Sequence, residues 1–497
     1  MADVAGTKNS IDLRLETLGQ LPVGVLTPTY ARDSLSAGMV HIGLGNFHRA
    51  HQAWYLHRLM QAGSAQDWAI IGAGVRQYDA NMRERLLSQD CLTTLIELDP
   101  AGEAVEVIGS MIDYLPIEDG NGALIKKMSD PSIRIVSMTV TEGGYYRDAN
   151  GQFDADHDDI IFDAANPEQP RTVFGAIVAA YRARREAGTG PFTALSCDNL
   201  QGNGAILSEC VTYLARMSDP ELADWIEAEA AFPNSMVDCI VPATTPEVIE
   251  QAQQIGIDDA APVTHENFRQ WVIEDKFCAG RPPWEQVGAT ITGNVHAYEA
   301  MKLRMLNGGH QLLANVAEIL SVNTIAASMA DPQIRAFFRK VEENEIQRHV
   351  AAVPEITPHA YLDLIDGRFA NPKIHDTIRR VAFDGSSRHP GFLLPTLRDA
   401  LAAGTPSSGL ALAEAFWARM CAGTREDGST IEANDPIWDS LHGAALSAKS
   451  DPSVWLAQEG IYGDLSGSAK FGDEFTHWLT MLWDDGCRAT LDRYLEA

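Results

Sequence analysis

Met39-Val-His-Ile-Gly-Leu-Gly45 is a short apolar run that ends in two glycines separated by one residue. A segment with apolar residues at helical intervals follows at residues 48–62, and a second apolar run, Trp68-Ala-Ile-Ile-Gly72, comes after it. An apolar strand, a glycine-rich turn, a helix and a second strand form the opening of a parallel nucleotide-binding sheet. This stretch therefore predicts that the chain begins with a doubly wound α/β domain.

The rest of the chain has two different patterns. Further apolar or β-branched runs lie at residues 133–141, 192–197 and 236–241. A helical pattern at 172–187 lies between the first two of these runs. From about Val295 convincing strands are missing, and the helical patterns lie at 298–320, 332–350, 393–403, 410–422 and 474–495. Alternating strands and helices indicate an α/β domain. We predict such a domain, with an N-terminal extension, at residues 1–293 and a mostly α-helical domain at 294–497.

Composition narrows the classes of partner. The 497 residues include 68 acidic side chains against 38 lysines and arginines, a formal net charge of -30. Such a surface repels nucleic acid and anionic lipid, so we expect neither as a partner. No apolar stretch approaches the length of a membrane span, and the first twenty residues lack the basic start and apolar core of a signal peptide. We expect a cytoplasmic protein.

The chain offers no recognisable metal-binding pattern. Its seven cysteines are scattered without CxxC spacing, and HExxH is absent. Neither a disulfide framework nor a structural zinc site is expected. The sequence therefore predicts chemistry that needs no metal.

The glycine turn resembles a dinucleotide-binding motif in which histidine replaces the third glycine. The first glycine permits the tight turn, and the second lets a pyrophosphate approach the backbone where the next helix begins. An ordinary glycine turn is the alternative, and the flanking strand and helix favour the cofactor site. We expect the cofactor to contact Gly43, Gly45, Asn46, Phe47 and His48.

A carboxylate after the second strand is expected to meet the adenosine ribose. Asp79 is the candidate, although it lies further along the chain than is usual. A carboxylate there disfavours a 2′-phosphate and so predicts NAD rather than NADP. Arg76 is the competing group, because an arginine at this place is able to accept that phosphate.

A second cluster lies in Met301-Lys-Leu-Arg-Met-Leu-Asn-Gly-Gly-His310. Asn307 and His310 are three residues apart and share a helix face, and Lys302 lies about two turns before His310. The three side chains are able to converge on one pocket, unless Gly308 and Gly309 distort the helix. The alternative is a solvated lysine, an asparagine beside a glycine break and a histidine of the core.

Several motifs follow one another over nearly the whole chain. They are Gly43-Leu-Gly-Asn-Phe-His-Arg-Ala-His-Gln52, Thr139-Val-Thr-Glu-Gly-Gly-Tyr145, Ser196-Cys-Asp-Asn-Leu200, Phe232-Pro-Asn-Ser-Met-Val-Asp238, residues 269–277, residues 301–310 and Phe383-Asp-Gly-Ser-Ser387. In this order they resemble the polyol-specific long-chain dehydrogenases, which include mannitol 2-dehydrogenases and the fructuronate and tagaturonate reductases. The resemblance implies a Rossmann-type N-terminal domain, a largely α-helical C-terminal domain and a monomer or weak dimer.

The resemblance also implies roles for single residues. Lys302 corresponds to the general base, whose amine must lose its charge through burial and through the positive nicotinamide beside it. Asn199 and Asn307 correspond to paired amides that hold a developing alkoxide. His310 corresponds to a substrate-positioning histidine, and Glu142 to a carboxylate linked to proton exchange between the lysine and solvent.

Three further residues correspond to substrate-binding positions: Asp238, Arg380 and Arg388. The chain departs from the family pattern at Cys239, where we expect arginine, and at Gly309, where serine is common. Arg388 itself stands where mannitol enzymes tend to have lysine. These departures affect pocket walls, which set the choice among polyols.

The leading hypothesis is the reversible oxidation of a hexitol such as mannitol to a 2-ketose, and Tyr145 after Glu142-Gly-Gly favours it. A hexuronate reductase is the first alternative, because Arg380 and Arg388 are able to bind a carboxylate. A nucleotide-binding sensor without catalysis is an alternative of another class, which the presence of Lys302, Asn199 and Asn307 disfavours. A zinc-dependent polyol dehydrogenase requires a ligand spacing that the sequence does not show.

Overall fold

The computed structural model describes residues 10–147 and 152–497. The chain divides into two compact units, Met1–His296 and Ala297–Ala497. The predicted boundary after residue 293 lies three residues before this division. The strands are β1 (Ile11–Asp12), β2 (Ala37–Ile42), β3 (Ala69–Ala73), β4 (Thr93–Asp99), β5 (Gly102–Ile108), β6 (Met111–Tyr114), β7 (Ile135–Met138), β8 (Thr193–Ser196), β9 (Ser235–Asp238), β10 (Ile257–Asp258), β11 (Val263–Glu266), β12 (Gln270–Glu274) and β13 (Thr290–Thr292).

The α-helices of the first unit surround these strands. They are α1 (Asn46–Ala50), α2 (Gln52–Gln61), α3 (Asp79–Ser88), α4 (Gly122–Met128), α5 (Asp158–Ala165), α6 (Val173–Glu186), α7 (Asn203–Ser218), α8 (Pro220–Glu229) and α9 (Pro246–Ile255), and α10 (Val295–Met301) runs across the division into the second unit. Short 3-10 turns lie at Leu15–Gln20, Arg32–Ser34, Asp119–Asn121, Glu142–Tyr145 and Trp284–Val287.

Five parallel strands form the central sheet in the order β6-β3-β2-β7-β8. Counted among themselves along the chain, they have the order 3-2-1-4-5 of a Rossmann fold. The strand order reverses between β2 and β7, where Ile42 pairs with Met138. Ligands of open α/β sheets bind outside the carboxyl ends of the strands at such a switch point. The predicted α/β class and its Rossmann-type architecture are confirmed.

The central strands are apolar on both faces because both faces are covered. Val40 and Val136 lie in the hydrophobic core on one side of the sheet, whereas their neighbours Met39 and Ile135 lie in the core on the other side. Successive side chains of a strand point to opposite faces, so a strand buried on both faces appears as a continuous apolar run. This explains why β2 and β7 could be predicted from their composition alone.

Other elements differ from the prediction. The helix predicted at 48–62 is two helices, α1 and α2, with a break at His51 (φ -122°, ψ -91°). Neither the antiparallel pair β4–β5 nor the short strand β6 was predicted. The four residues of β6 are too few to show a period, and β6 completes the sheet only through its pairing with β3.

The second unit is α-helical, as predicted. In residues 297–497, all of which the structure describes, the only strand pairing is by isolated bridges. Its elements are a π-helical segment (Lys302–Asn307), α11 (Gly308–Ile319), α12 (Ile325–Ala330), α13 (Pro332–Val341), a second π-helical segment (Glu342–Ile346), a 3-10 turn (Gln347–His349), α14 (Pro358–Phe369), α15 (Ile378–Ala382), α16 (Gly385–Phe392), α17 (Leu394–Ala403), α18 (Ser408–Cys421), α19 (Trp438–Ala448), α20 (Ser453–Leu456), α21 (Glu459–Tyr462), a 3-10 turn (Gly463–Gly467), α22 (Ala469–Asp484) and α23 (Gly486–Glu496).

Two helices form the centre of this unit. Residues 409–421 of α18 are all buried, and so is every residue of α11 except His310. A helix that is buried on all sides lies inside a helical domain rather than on its surface. The side chain that escapes full burial on α11 is therefore a candidate for function. Among the described residues, no helix combines the length and apolar character needed to cross a membrane.

Candidate active site

The turn after β2 has the geometry that the glycine motif predicts. Gly43 has φ +91°, and a Cβ there would overlap the carbonyl oxygen of Thr139, so only glycine fits. Gly45 has an ordinary φ of -75° and is the N-cap of α1, and no described atom lies within 4 Å of the place its Cβ would take. The first glycine thus serves the turn, and the second leaves open space beside the backbone for a ligand to approach.

The three residues after the turn have different environments. The side-chain amide of Asn46 donates to the carbonyl of Pro242 and to Thr244 Oγ1, both at 2.9 Å, so it anchors a neighbouring loop. Phe47 is half-buried and stacks on the ring of His51 at 4.8 Å. Both side chains therefore have partners within the protein.

His48 is enclosed in the fold. Its exposure is 0%, and its ring stacks on that of His41 at 3.4 Å. Burial lowers the pKa of His48 well below its usual value and that of His41 to about 3, so both rings are neutral. His48 therefore packs beneath the turn, at the place where a third glycine would bring helix and strand together.

The loop after β3 holds both candidates for the ribose site. The carboxylate of Asp79 folds against Gly74 and accepts the backbone N–H of Arg76 at 3.1 Å. Burial raises the pKa of Asp79. The guanidinium of Arg76 turns away from this loop and donates to the hydroxyl of Tyr146 at 2.8 Å. Asp79 therefore binds the backbone of its own loop, whereas Arg76 binds a side chain of another segment.

A buried aspartate joins the loops after β7 and β8. The carboxylate of Asp198 accepts the backbone N–H groups of Val140 (3.2 Å) and Thr141 (2.8 Å) and the hydroxyl of Tyr145 (2.7 Å). Thr141 has φ +67°, a conformation that β-branched residues rarely adopt and that needs such support. Asn199 follows Asp198 directly and is exposed at the carboxyl end of β8. Asp198 was missed from the sequence, although it stands beside a residue that the resemblance singled out.

Two other predicted residues of the first unit are Glu142 and Asp238. Glu142 begins the 3-10 turn that follows Thr141, and its side chain lies outside the described part of the chain. Asp238 is the last residue of β9 and is 5% exposed, with Cys239 buried behind it. The start of β9 is tied to the end of β8, because Ser235 Oγ donates to the carbonyl of Ser196 at 2.6 Å. Asn199 therefore follows β8 near the beginning of β9, whereas Asp238 lies at the other end of β9.

In the second unit, the predicted catalytic segment is not a regular α-helix. Lys302–Asn307 is π-helical, whereas Gly308 and Gly309 lie in the regular helix α11. The irregular segment thus precedes the two glycines, which themselves lie in regular helix. In an α-helix, residues five apart are turned by about 140° from each other, whereas in a helix bonded from i to i+5 they lie close to one turn apart. The π-helical segment therefore brings Lys302 and Asn307 towards one face, and Lys302 is 7% exposed.

Tight packing explains the glycine that follows. A Cβ at Gly309 would lie 2.8 Å from Phe338 and 3.2 Å from Glu342 Oε1. Glu342 is fully buried, and its carboxyl oxygens have no hydrogen-bond partner among the described residues. Burial raises its pKa well above the usual value and so favours the protonated, neutral form. The start of α11 is thus pressed against α13 and the second π-helical segment.

His310 faces a cluster of charged groups. Its ring stacks on Phe369 at 4.2 Å, and its Nε2 lies 3.9 Å from Asp376 Oδ2. Burial lowers the pKa of His310 to about 4, against the opposing effect of Asp376. Asp376 accepts two hydrogen bonds of 2.6 Å from Arg380, whose side chain is 61% exposed. Asp376 was missed from the sequence, where the only signal is its spacing of four from Arg380.

Backbone carbonyl groups bind the side chain of Arg388. Its guanidinium donates to the carbonyls of Val381 at 2.7 Å and Arg380 at 3.5 Å, near the end of α15. The second unit therefore brings His310, Arg380 and Arg388 together around one short helix. Among the described residues, no group of three or more His, Cys, Asp or Glu side chains is arranged to hold a metal, and all seven cysteines are free.

Comparisons with known proteins identify the family of this chain. A family model for the mannitol dehydrogenase Rossmann domain matches residues 37–286, and one for the mannitol dehydrogenase C-terminal domain matches residues 294–483. A mannitol 2-dehydrogenase of Cereibacter sphaeroides is 54% identical over 473 residues, which are 95% of this chain and 99% of the relative.

Two solved structures match nearly the whole chain. Pseudomonas fluorescens mannitol 2-dehydrogenase, in a ternary complex with NAD and D-mannitol, has a TM-score of 0.88 and 40% identity and covers 98% of this chain and 100% of that chain. D-Sorbitol dehydrogenase in substrate-free form has a TM-score of 0.88 and 34% identity and covers 96% of this chain and 100% of that one. The resemblance first indicated by the motifs is confirmed, and the chain belongs to the mannitol dehydrogenase family.

Proposed function

We propose that this chain is an NAD-dependent oxidoreductase that interconverts a hexitol of the mannitol type and its 2-ketose. The relative from Cereibacter sphaeroides, which matches over 99% of its length, is a mannitol 2-dehydrogenase, and the solved relative from Pseudomonas fluorescens binds NAD and D-mannitol. The observation that carries the proposal is the buried Lys302, which lies about one π-turn from Asn307.

The residues of the first unit fit a dinucleotide. The open space beside Gly45, at the switch point of a Rossmann sheet, is where a pyrophosphate is expected to approach the backbone. We propose that Gly43 and Gly45 shape this place, that Asn46 and Phe47 border it and that Asp79 binds the adenosine ribose. When NAD is bound, it supplies the acceptor for the hydride that leaves the substrate carbon.

Lys302 is proposed as the general base. Its amine accepts the proton of the substrate hydroxyl, and it can do so only when uncharged, a state that burial favours. The side-chain N–H groups of Asn307 and Asn199 donate to the oxygen on which negative charge develops. We propose that Glu142 passes the proton between Lys302 and solvent.

Four side chains are proposed to orient the substrate: Asp238, His310, Arg380 and Arg388. A neutral polyol suits this set better than a hexuronate. Both nearby guanidiniums already donate to Asp376 or to backbone carbonyls, and the Asp376 carboxylate lies where it would repel a substrate carboxylate. Hexuronate reduction is therefore the second candidate, with the exposed part of Arg380 as its support.

A sensor without catalysis fits less well. It has no need of a lysine held out of water beside an asparagine, whereas catalysis requires both. We also propose a cytoplasmic location, supported by the acidic composition. We propose a monomer or weak dimer, which the mass in solution measured by light scattering will test.

Initial rates test the reaction and its substrate. The purified protein is assayed with NAD and NADP against mannitol, sorbitol and arabinitol, and with NADH against fructose, fructuronate and tagaturonate. We expect the highest kcat/KM with a hexitol and NAD. Rapid reduction of fructuronate without turnover of any polyol would replace the proposal by the hexuronate alternative. Binding of NADH without transfer to any ketose would favour the sensor.

A further inference from the structure

Arg76 has an unusual position for a residue beside the ribose site. It follows β3 by three residues, and its backbone N–H is bound by Asp79, the proposed ribose ligand. An arginine in this loop is the group that accommodates the 2′-phosphate of NADP, whereas an acid selects NAD. The loop therefore contains both kinds of residue, and their side-chain partners decide which of them is presented to the cofactor.

The guanidinium of Arg76 contacts two side chains from other segments of the first unit. Its Nη2 donates to the hydroxyl of Tyr146 at 2.8 Å, and its Nη1 lies 3.8 Å from Asp159 Oδ2. The Tyr146 hydroxyl in turn donates to the same Asp159 oxygen at 3.1 Å. Three side chains thus form a closed set, which we call the Arg76 clamp.

The clamp joins two loops on either side of the cofactor turn. Arg76 lies in the loop after β3, and Tyr146 lies after β7, while β2 with its glycine turn runs between these strands. Tyr146 is a firm support because its ring packs against His157 at 4.7 Å and its carbonyl accepts the N–H of Asp154 at 2.7 Å. Asp159 lies in the first turn of α5.

We propose that Tyr146 and Asp159 determine the preference for NAD over NADP by holding Arg76 away from the ribose 2′ position. While the clamp is closed, Asp79 alone meets the ribose hydroxyls. Once Arg76 is released, its guanidinium reaches the side of the loop where a 2′-phosphate carries its charge. This inference rests on the proposed use of NAD and names two residues that act on the cofactor choice through a third.

The size of the effect follows from the strength of the clamp. Arg76 is 45% exposed on its side chain, so its ion pair with Asp159 is weak, and its hydrogen bond to Tyr146 is of ordinary strength. One such interaction changes an equilibrium by about tenfold. We therefore expect the ratio of the NADP and NAD dissociation constants to fall by about tenfold when the clamp is opened.

Equilibrium binding tests the proposal without any polyol. Isothermal titration calorimetry with NAD and NADP is carried out on the wild type, Tyr146→Phe, Asp159→Asn, Arg76→Ala and the double variant Tyr146→Phe/Arg76→Ala. We expect Tyr146→Phe and Asp159→Asn to gain affinity for NADP relative to NAD. The double variant should lose that gain, because the released group is then absent.

Asp158→Asn is the matched control. Asp158 is exposed and adjacent to Asp159, and its removal changes the net charge equally without touching the clamp. Its ratio should equal that of the wild type, and an equal gain in Asp158→Asn would assign the effect to overall charge and overturn the proposal. An unchanged ratio in both folded clamp variants, or a gain that survives in the double variant, would also overturn it. A wild type that binds neither nucleotide would instead defeat the proposed function, and this inference with it.

Discussion

The cofactor turn of the first unit and the lysine segment of the second reach their shapes by different means. At Gly43, a positive φ and the neighbouring Thr139 carbonyl leave glycine as the one residue that fits. At Lys302–Asn307, no residue requires a π-helix, and the segment takes that form within a densely packed helical unit. A conformation that one residue's backbone requires can be recognised from the residue type, whereas a conformation that depends on packing cannot. The predictions below test this difference.

The largest effect is expected at Lys302. Lys302→Ala removes the proposed base, so kcat should fall by about a hundredfold to ten-thousandfold. The loss should persist in alkaline buffer. Other lysine side chains are deprotonated there, but none of them takes the place of Lys302 as the base. Lys373→Ala, at an exposed lysine of the same unit, is the control and should keep wild-type turnover. Near-normal turnover of Lys302→Ala at high pH would remove the lysine from the mechanism.

A smaller effect is expected at the paired amides. Asn307→Ala and Asn199→Ala each remove one donor to the developing alkoxide, which typically raises the barrier by about 3 kcal/mol and lowers kcat by about a hundredfold or more. Asn307→Asp keeps the shape but places a negative charge beside the alkoxide and should be no better than alanine. If kcat stays unchanged and only KM rises, these residues bind substrate without stabilising the transition state.

The two glycines of the turn should respond in opposite ways. Gly43→Ala introduces strain and an overlap with Thr139, so the free energy of unfolding should fall by about 2–4 kcal/mol. Gly45→Ala has an allowed φ and open space, so its stability should equal that of the wild type while NAD affinity falls by about tenfold. Thermal unfolding and NAD titration of both variants separate the outcomes. Full NAD affinity in Gly45→Ala would mean that the open space is not the pyrophosphate site.

Asp376 offers a test of packing around the substrate residues. Asp376→Asn weakens both hydrogen bonds from Arg380 and removes the charge beside His310, so we expect KM for the polyol to rise by about tenfold with little change in kcat. Arg380→Ala should have a similar effect on KM. A double variant no worse than either single one would show that the two residues act as one unit.

The last test concerns the pH dependence of stability. The pKa of His310 is about 4 in the folded protein, below the ordinary value of 6.5. Its contribution to stability is therefore complete above about pH 6.5 and is lost as the pH falls towards 4, because the unfolded chain takes up a proton that the native protein refuses. His310→Gln should show a shallower loss between these values, by up to about 1.4 kcal/mol per pH unit. Equal slopes in urea unfolding would contradict this.

The sequence by itself determined four of the five strands of the central sheet, the glycine turn and the chemical types of the candidate residues. Buried parallel strands are apolar throughout, and a turn with positive φ demands glycine, so both leave local patterns. The family motifs extended this to the whole chain, and the family membership they implied is confirmed by the matches over residues 37–286 and 294–483.

Tertiary structure decided what local patterns cannot express. The ring of His48 packs on that of His41, and Asp198 acquires its role only from N–H groups brought to it by another segment. Asp376 likewise lies beside His310, which comes from a distant helix. The π-helical register at Lys302 and the partners of Arg76 are of the same kind. Contacts between residues distant in the chain depend on the assembled fold, so the sequence names the residues and the packing determines which of them meet.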